Sequence, residues 1–107
     1  MSTEYIPLDL LEEITVQPGA VVSKTLVKKT AGTVTLFAFD GGQGLSEHTA
    51  PYDALVQVLA GSAQVVIGGR EVSVGSGEMI MMPAGVPHSL HAAEPFKMML
   101  IMIKSDS

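Results

Sequence analysis

Cysteine and tryptophan are both missing from this chain, and charged side chains make up only 16% of its 107 residues. Without cysteine there can be no disulfides, no thiolate nucleophile and no Cys-based zinc site. Basic residues are few, six Lys and Arg against eleven Asp and Glu, for a formal net charge of −5. That balance argues against nucleic acid as a partner, because affinity for a phosphate backbone comes from clustered cations. Lys24, Lys28 and Lys29 come nearest to such a cluster, and a solvated strand end explains them equally well. No apolar run is long enough to cross a bilayer; the longest in the C-terminal half, residues 98–103, is strand-sized. The opening MSTEYIPLDLLEE is acidic and lacks the charged and apolar regions of a signal peptide, so cytoplasmic residence is expected, with no membrane partner.

What the chain does have is apolar side chains, 47% of the total. A domain of this size buries one core and leaves much of its surface in water. The apolar surplus therefore predicts that one face is covered by a second subunit, giving a homodimer. The segment through Val27, read as an edge strand of mixed apolar character, is the candidate for pairing or exchange between subunits.

Beyond a lead-in over residues 1–20, in which residues 8–14 form at most a short helical turn, the local signals are those of β-structure. Short apolar or alternating runs occupy residues 21–27, 33–39, 54–59, 63–67, 71–74, 79–82, 88–92 and 98–103. Turn residues separate them: Gly32, Asp40-Gly41-Gly42, Gly61-Ser62, Gly68-Gly69, Gly75-Ser76-Gly77 and Pro83-Ala84-Gly85. Gly68-Gly69 is the strongest of these, since a two-residue hairpin turn needs positive φ at its centre; it predicts pairing of Ile67 with Arg70 and of Val65 with Val72. No long amphipathic helix is written in the pattern, so the expectation is one all-β domain over residues 1–107, a sandwich or closed barrel with its main body at 33–103.

Two segments carry histidines among spaced glycines and prolines. The first has Gly42, His48, Ala50, Ala54 and Gly61; the second has Gly77, Pro83, Gly85, His88 and Ala92. In order and spacing they resemble the two motifs of the cupins, small double-stranded β-helix barrels of jelly-roll type that include RmlC-like proteins. The first cupin motif runs Gly, His-x-His, Glu, Gly; the second runs Gly, Pro-x-Gly, His, Asn. The glycines, Pro83 and two histidines match here. Ala50 stands for the second His of the first motif, Ala54 for its Glu, and Ala92 for the Asn of the second. The stretches PYDALVQVLAG and MPAGVPHSL are also similar to those of small single-domain cupins.

The resemblance implies a cavity in which His48 and His88 approach one another. Alternation along a strand puts His88, Leu90 and Ala92 on one face and His91 on the other, and gives His48 and Ala50 a common face. In cupins this cavity usually holds a divalent ion such as iron, manganese, nickel or zinc. Here the inherited ligand set is reduced to His48 and His88, a combination that binds weakly without a further donor. Asp53 and Glu47 lie beside the vacated positions, and parity points both away.

Tyr52 and Gln57 are candidates for orienting a ligand by hydrogen bonds; their structural alternative is a strand-edge Tyr and a bonded amide. The methionines at 79, 81, 82, 98, 99 and 102 invite comparison with a copper(I) site, but gap-filling in an apolar core is the commoner use of Met, and they are assigned to packing. No nucleophile-plus-base constellation or phosphate-cradling glycine loop is present. The expected function is binding of a small molecule, such as an anion or sugar-like metabolite, at His48 and His88. The alternative is a metal-dependent enzyme of dioxygenase or isomerase type. A metal-free site with one His as general base and a non-binding interaction module are further readings.

Overall fold

A computed structural model describes residues 5–104, so the first four residues of the lead-in lie outside the described residues. Nine strands follow one another: β1 (Val21–Lys29), β2 (Gly32–Phe39), β3 (Gly44–His48), β4 (Tyr52–Ala60), β5 (Ser62–Ile67), β6 (Arg70–Gly75), β7 (Met79–Met82), β8 (His88–His91) and β9 (Phe96–Lys104). They form a five-stranded sheet ordered β1-β2-β9-β4-β7 and a four-stranded sheet ordered β3-β8-β5-β6. All pairings are antiparallel. Residues 8–14 make only a single turn, in which the Glu12 and Glu13 amides both donate to the Asp9 carbonyl.

The core lies between the inner faces of the two sheets. Ala54, Val56 and Val58 of β4 alternate inward, as do Phe96 and Met98 of β9, and meet Ala63, Val65, Val74 and Leu90 of the opposite sheet and Ala92 just after β8. Phe39 and Phe96 are register partners and stack at 4.5 Å between centroids with planes 6° apart. Each fully buried ring of this size contributes about 1.5–3 kcal/mol through removal from water. The β5–β6 hairpin turns on Gly68 and Gly69, at φ 56° and 81°, with Ile67 opposite Arg70 and Val65 opposite Val72.

The predicted strands are present, and one more besides. β3, with sequence GLSEH, has no apolar alternation to announce it because it is a largely exposed edge strand. The lead-in packs on its own sheet: Ile14 is buried with Leu36 and Ala38, while the Lys97 ammonium donates to the Leu11 carbonyl at 2.6 Å. A Lys24–Glu13 ion pair at 2.6 Å adds a surface tether, the kind of contact worth well under about 1 kcal/mol. Further along the outer face the sheet is bare. One row across all five strands, Met81–Leu55–Ile101–Val34–Val27, is wholly apolar and at least partly exposed.

Candidate functional site

His88 opens β8 with 5% of its residue surface exposed, and is the one buried residue of polar type among those described. His48 ends β3 and is exposed. The strand pairing explains how it reaches the same face. Leu45 pairs with Leu90 and His48 with His88, so three steps along β3 correspond to two along β8. Three steps of an unbroken strand would turn Leu45 and His48 to opposite faces. The extra residue is a bulge, a device that re-aims a side chain, and it brings both inward.

The two imidazoles then meet edge to face, with centroids 4.4 Å apart and planes at 68°. Nδ1 of His48 is 2.8 Å from the Ser46 carbonyl, and Nδ1 of His88 is 3.1 Å from the Val86 carbonyl. A carbonyl oxygen only accepts, so each Nδ1 donates and carries the proton. In a neutral ring held this way Nε2 carries the lone pair, and among the described residues neither Nε2 has a hydrogen-bond partner.

Both rings border a cavity of about 40 Å³, walled otherwise by Leu45, Ala50, Ala54, Met82, Leu90, Met98, Leu100 and Met102. A buried water needs about 10–15 Å³ measured this way, so there is room for an ion or a few small atoms, and the exposed position of His48 marks the mouth. Apart from the imidazole nitrogens, the walls offer no side-chain nitrogen or oxygen.

Ala54 is central to that wall. It pairs with Met82 on one side and Met102 on the other, so the three form a single row across β7, β4 and β9 on the inner face. The sequence pattern assigns the methionines to packing; in the fold three of the six border the cavity with the histidines. Their signal was the even-numbered alternation of 98 and 102, legible only once the register to Ala54 is known.

Two candidate residues lie outside the cavity lining. Gln57 pairs with Met79 and Met99 and lies on the outer face, since it is an odd number of steps from Ala54. Tyr52 has inward parity but lies beyond the cavity lining, at the start of β4 beside Lys104. Asp53 is committed elsewhere, its carboxylate accepting the Ala84 amide at 2.9 Å. His91 and Glu47 are exposed.

The sequence matches the Cupin domain family over residues 35–104, most of the chain. The chain is a cupin. Among solved structures it resembles a conserved Streptococcus pyogenes protein of unknown function, at 36% identity and a TM-score of 0.91, over 99% of this chain and 93% of that one. A cupin 2 conserved barrel domain protein from Leptotrichia buccalis is 40% identical with a TM-score of 0.88; the alignment covers 91% of this chain but 47% of that longer one. An uncharacterised Streptomyces coelicolor protein is 28% identical over 76 residues, 70% of this chain and 72% of its own. Among the described residues no helix is long and apolar enough to cross a membrane.

The divalent ion that cupins usually carry does not fit the side chains of this site. Imidazole suits such ions, but a stable site takes three or four protein donors, and this cavity presents two imidazoles and no carboxylate. Among the described residues no group of three or more His, Asp or Glu is placed to share an ion.

Proposed function

We propose that this cupin is a binding protein that holds a small ligand in the cavity between its sheets, gripped by Nε2 of His48 and of His88, and that it works as a homodimer. One observation carries the binding role. Both imidazoles have Nδ1 tied to a carbonyl of their own chain, which fixes the rings, and both histidines line one cavity. Fixed, unpartnered ring nitrogens in an otherwise apolar pocket orient a small ligand, accepting from a hydroxyl, ligating a metal ion, or donating to an anion when the ring is protonated. Catalysis is not required by this constellation, because no third titratable group stands with the pair in the cavity wall. Dimerisation is supported by the bare apolar row on the outer face, centred on Leu55, Ile101 and Val34.

Nitrogen-15 NMR of the imidazoles tests the binding role, with acetate, glycerol and silver(I) titrated separately as probes of an anionic, a hydroxylic and a metallic ligand. A saturable shift of Nε2 in both His48 and His88 with any one of them supports it. If none of the three moves either nitrogen, the cavity is not a binding site.

A further inference from the structure

The cavity wall holds two kinds of donor atom, imidazole nitrogen and thioether sulfur. We infer that it is a site for a soft monovalent cation, copper(I), held by Nε2 of His48 and His88 together with thioethers of Met82 and Met102, with Met98 also in the wall. The inference rests on the reading of this cavity as the binding site and names its occupant.

Three features of the site lead there. The first is donor chemistry. Thioethers and imidazoles bind copper(I) well, whereas magnesium, calcium and manganese need oxygen donors that this wall does not supply. The second is charge. All these ligands are neutral, and the cost of taking an ion out of water rises with the square of its charge, so a monovalent ion in an apolar cavity escapes most of the penalty that a divalent ion meets. The third is placement. Ala54 stands between Met82 and Met102 in one row, and its single methyl leaves the space above it to the two flexible side chains. A larger residue at 54 would fill that space. Met82 is 2% exposed and Met98 0%, so their thioethers are shielded from competing water, while Met102 is partly exposed.

The histidines suit the same ion. An ion about 2.0 Å from both Nε2 atoms lies about 3 Å from each ring centre, so rings up to about 6 Å apart can share it; these are 4.4 Å apart. Donation from each Nδ1 to a carbonyl is the arrangement that fixes ring orientation and raises the basicity of a ligating imidazole. His48 at the mouth gives the ion a point of entry, and His88 below it receives the ion among the methionines.

The test uses the intact protein under anaerobic, reducing conditions, with copper(I) delivered against a competing chelator and silver(I) as its redox-inert stand-in. One equivalent should bind, shifting the methyl resonances of Met82 and Met102 and the Nε2 resonances of both histidines. Met82→Leu with Met102→Leu keeps volume and hydrophobicity and should weaken binding by roughly tenfold or more, as should His48→Ala. Met79→Leu with Met81→Leu, on the exposed side of β7 and at its edge, should change nothing and controls for adventitious thioethers. Binding that depends on the histidines but survives Met82→Leu with Met102→Leu overturns the thioether site while leaving the cavity as a binding site. Binding lost with Met79 and Met81 instead, or no binding at all, also overturns it. Failure of the ion to move the histidine nitrogens, when acetate and glycerol leave them unmoved as well, removes both the occupant and the site.

Discussion

The carboxylate of Asp53, on β4, accepts the backbone amide of Ala84 at 2.9 Å, binding the first histidine segment to the turn that launches the second. The same turn is held from the other side, where the Gly85 amide donates to the Ala50 carbonyl at 2.9 Å. Asp53 is thus a clasp between the segments that carry His48 and His88. Its side chain points away from the cavity, and its effect on the site is through the path of the chain.

Replacing Asp53 with Ala leaves the part-buried Ala84 amide without its acceptor, at a cost of about 1–3 kcal/mol. Asp53→Asn retains a carbonyl oxygen and should cost less. Urea denaturation of the three proteins measures this, and the His88 ring resonances should shift more in the Ala variant than in the Asn variant. Equal stability of all three would mean that the turn is held without the clasp.

Two glycines with nearly the same backbone angle separate local strain from crowding. Gly61 has φ 82° and Gly69 has φ 81°. A Cβ at Gly69 meets nothing within 4 Å, whereas at Gly61 it falls 2.7 Å from the Pro95 carbonyl oxygen and 2.8 Å from the Phe96 Cβ. Gly69→Ala should therefore cost only the left-handed backbone strain, about 1–2 kcal/mol. Gly61→Ala must also push apart the β4–β5 turn and the strand carrying the Phe39–Phe96 stack, so its denaturation midpoint should fall well below that of the Gly69 variant. A Gly69 variant that is as unstable as the Gly61 variant would contradict the contact argument.

Much of the fold is legible in the sequence, and the reason differs from element to element. The central strands announce themselves through alternation, and Gly68-Gly69 specifies its hairpin register because both positions need positive φ. β3 is silent, since GLSEH is an exposed edge that buries almost nothing. The site divides the same way. Spaced glycines, prolines and histidines point to His48 and His88, but the bulge that turns His48 inward depends on pairing with β8. Register also decides the cases of Gln57, which strand alternation turns to the outer face, and of Met82 and Met102, which become neighbours only through Ala54. Nothing within β7 or β9 alone records that relationship.

The outer face yields a prediction about assembly. Five strands spaced at about 4.8 Å give the apolar row Met81–Leu55–Ile101–Val34–Val27 a width of about 20 Å, bordered by exposed Met79 and Ile103. Stable interfaces bury about 800 Å² from each partner, and this row supplies an apolar centre for one, with Asp53 and Lys29 at the ends of the row that carries Ile103. Sedimentation or light scattering at micromolar concentration should give the mass of a dimer. Ile101→Glu, which places a charge at the middle of the row, should give a folded monomer. A wild-type monomer at these concentrations defeats the proposal, and a dimer that persists in the Glu variant relocates the interface.

The vacated ligand positions give the most exposed prediction. Ala54 is 2% exposed and sits between two methionines, so Ala54→Glu places a carboxylate in a wall with no cation to meet it. A buried, unpaired charge is costly enough that the group is neutralised or the fold loses several kcal/mol, on the order of 3 or more. The single variant should melt well below the native protein when no metal is present. Adding Ala50→His supplies a third imidazole beside His48, and nickel or manganese should then stabilise the double variant strongly, since an ion that binds only the folded state raises its melting temperature. The native protein should gain little from either ion, because the hard donor is missing. Calorimetric titration alongside the melting curves separates the outcomes. Tight nickel or manganese binding by the native protein would mean that a further ligand closes the site and would restore the divalent-metal enzyme as the better account. Indifference of the folded double variant to both ions would mean that positions 50 and 54 do not converge on the two histidines.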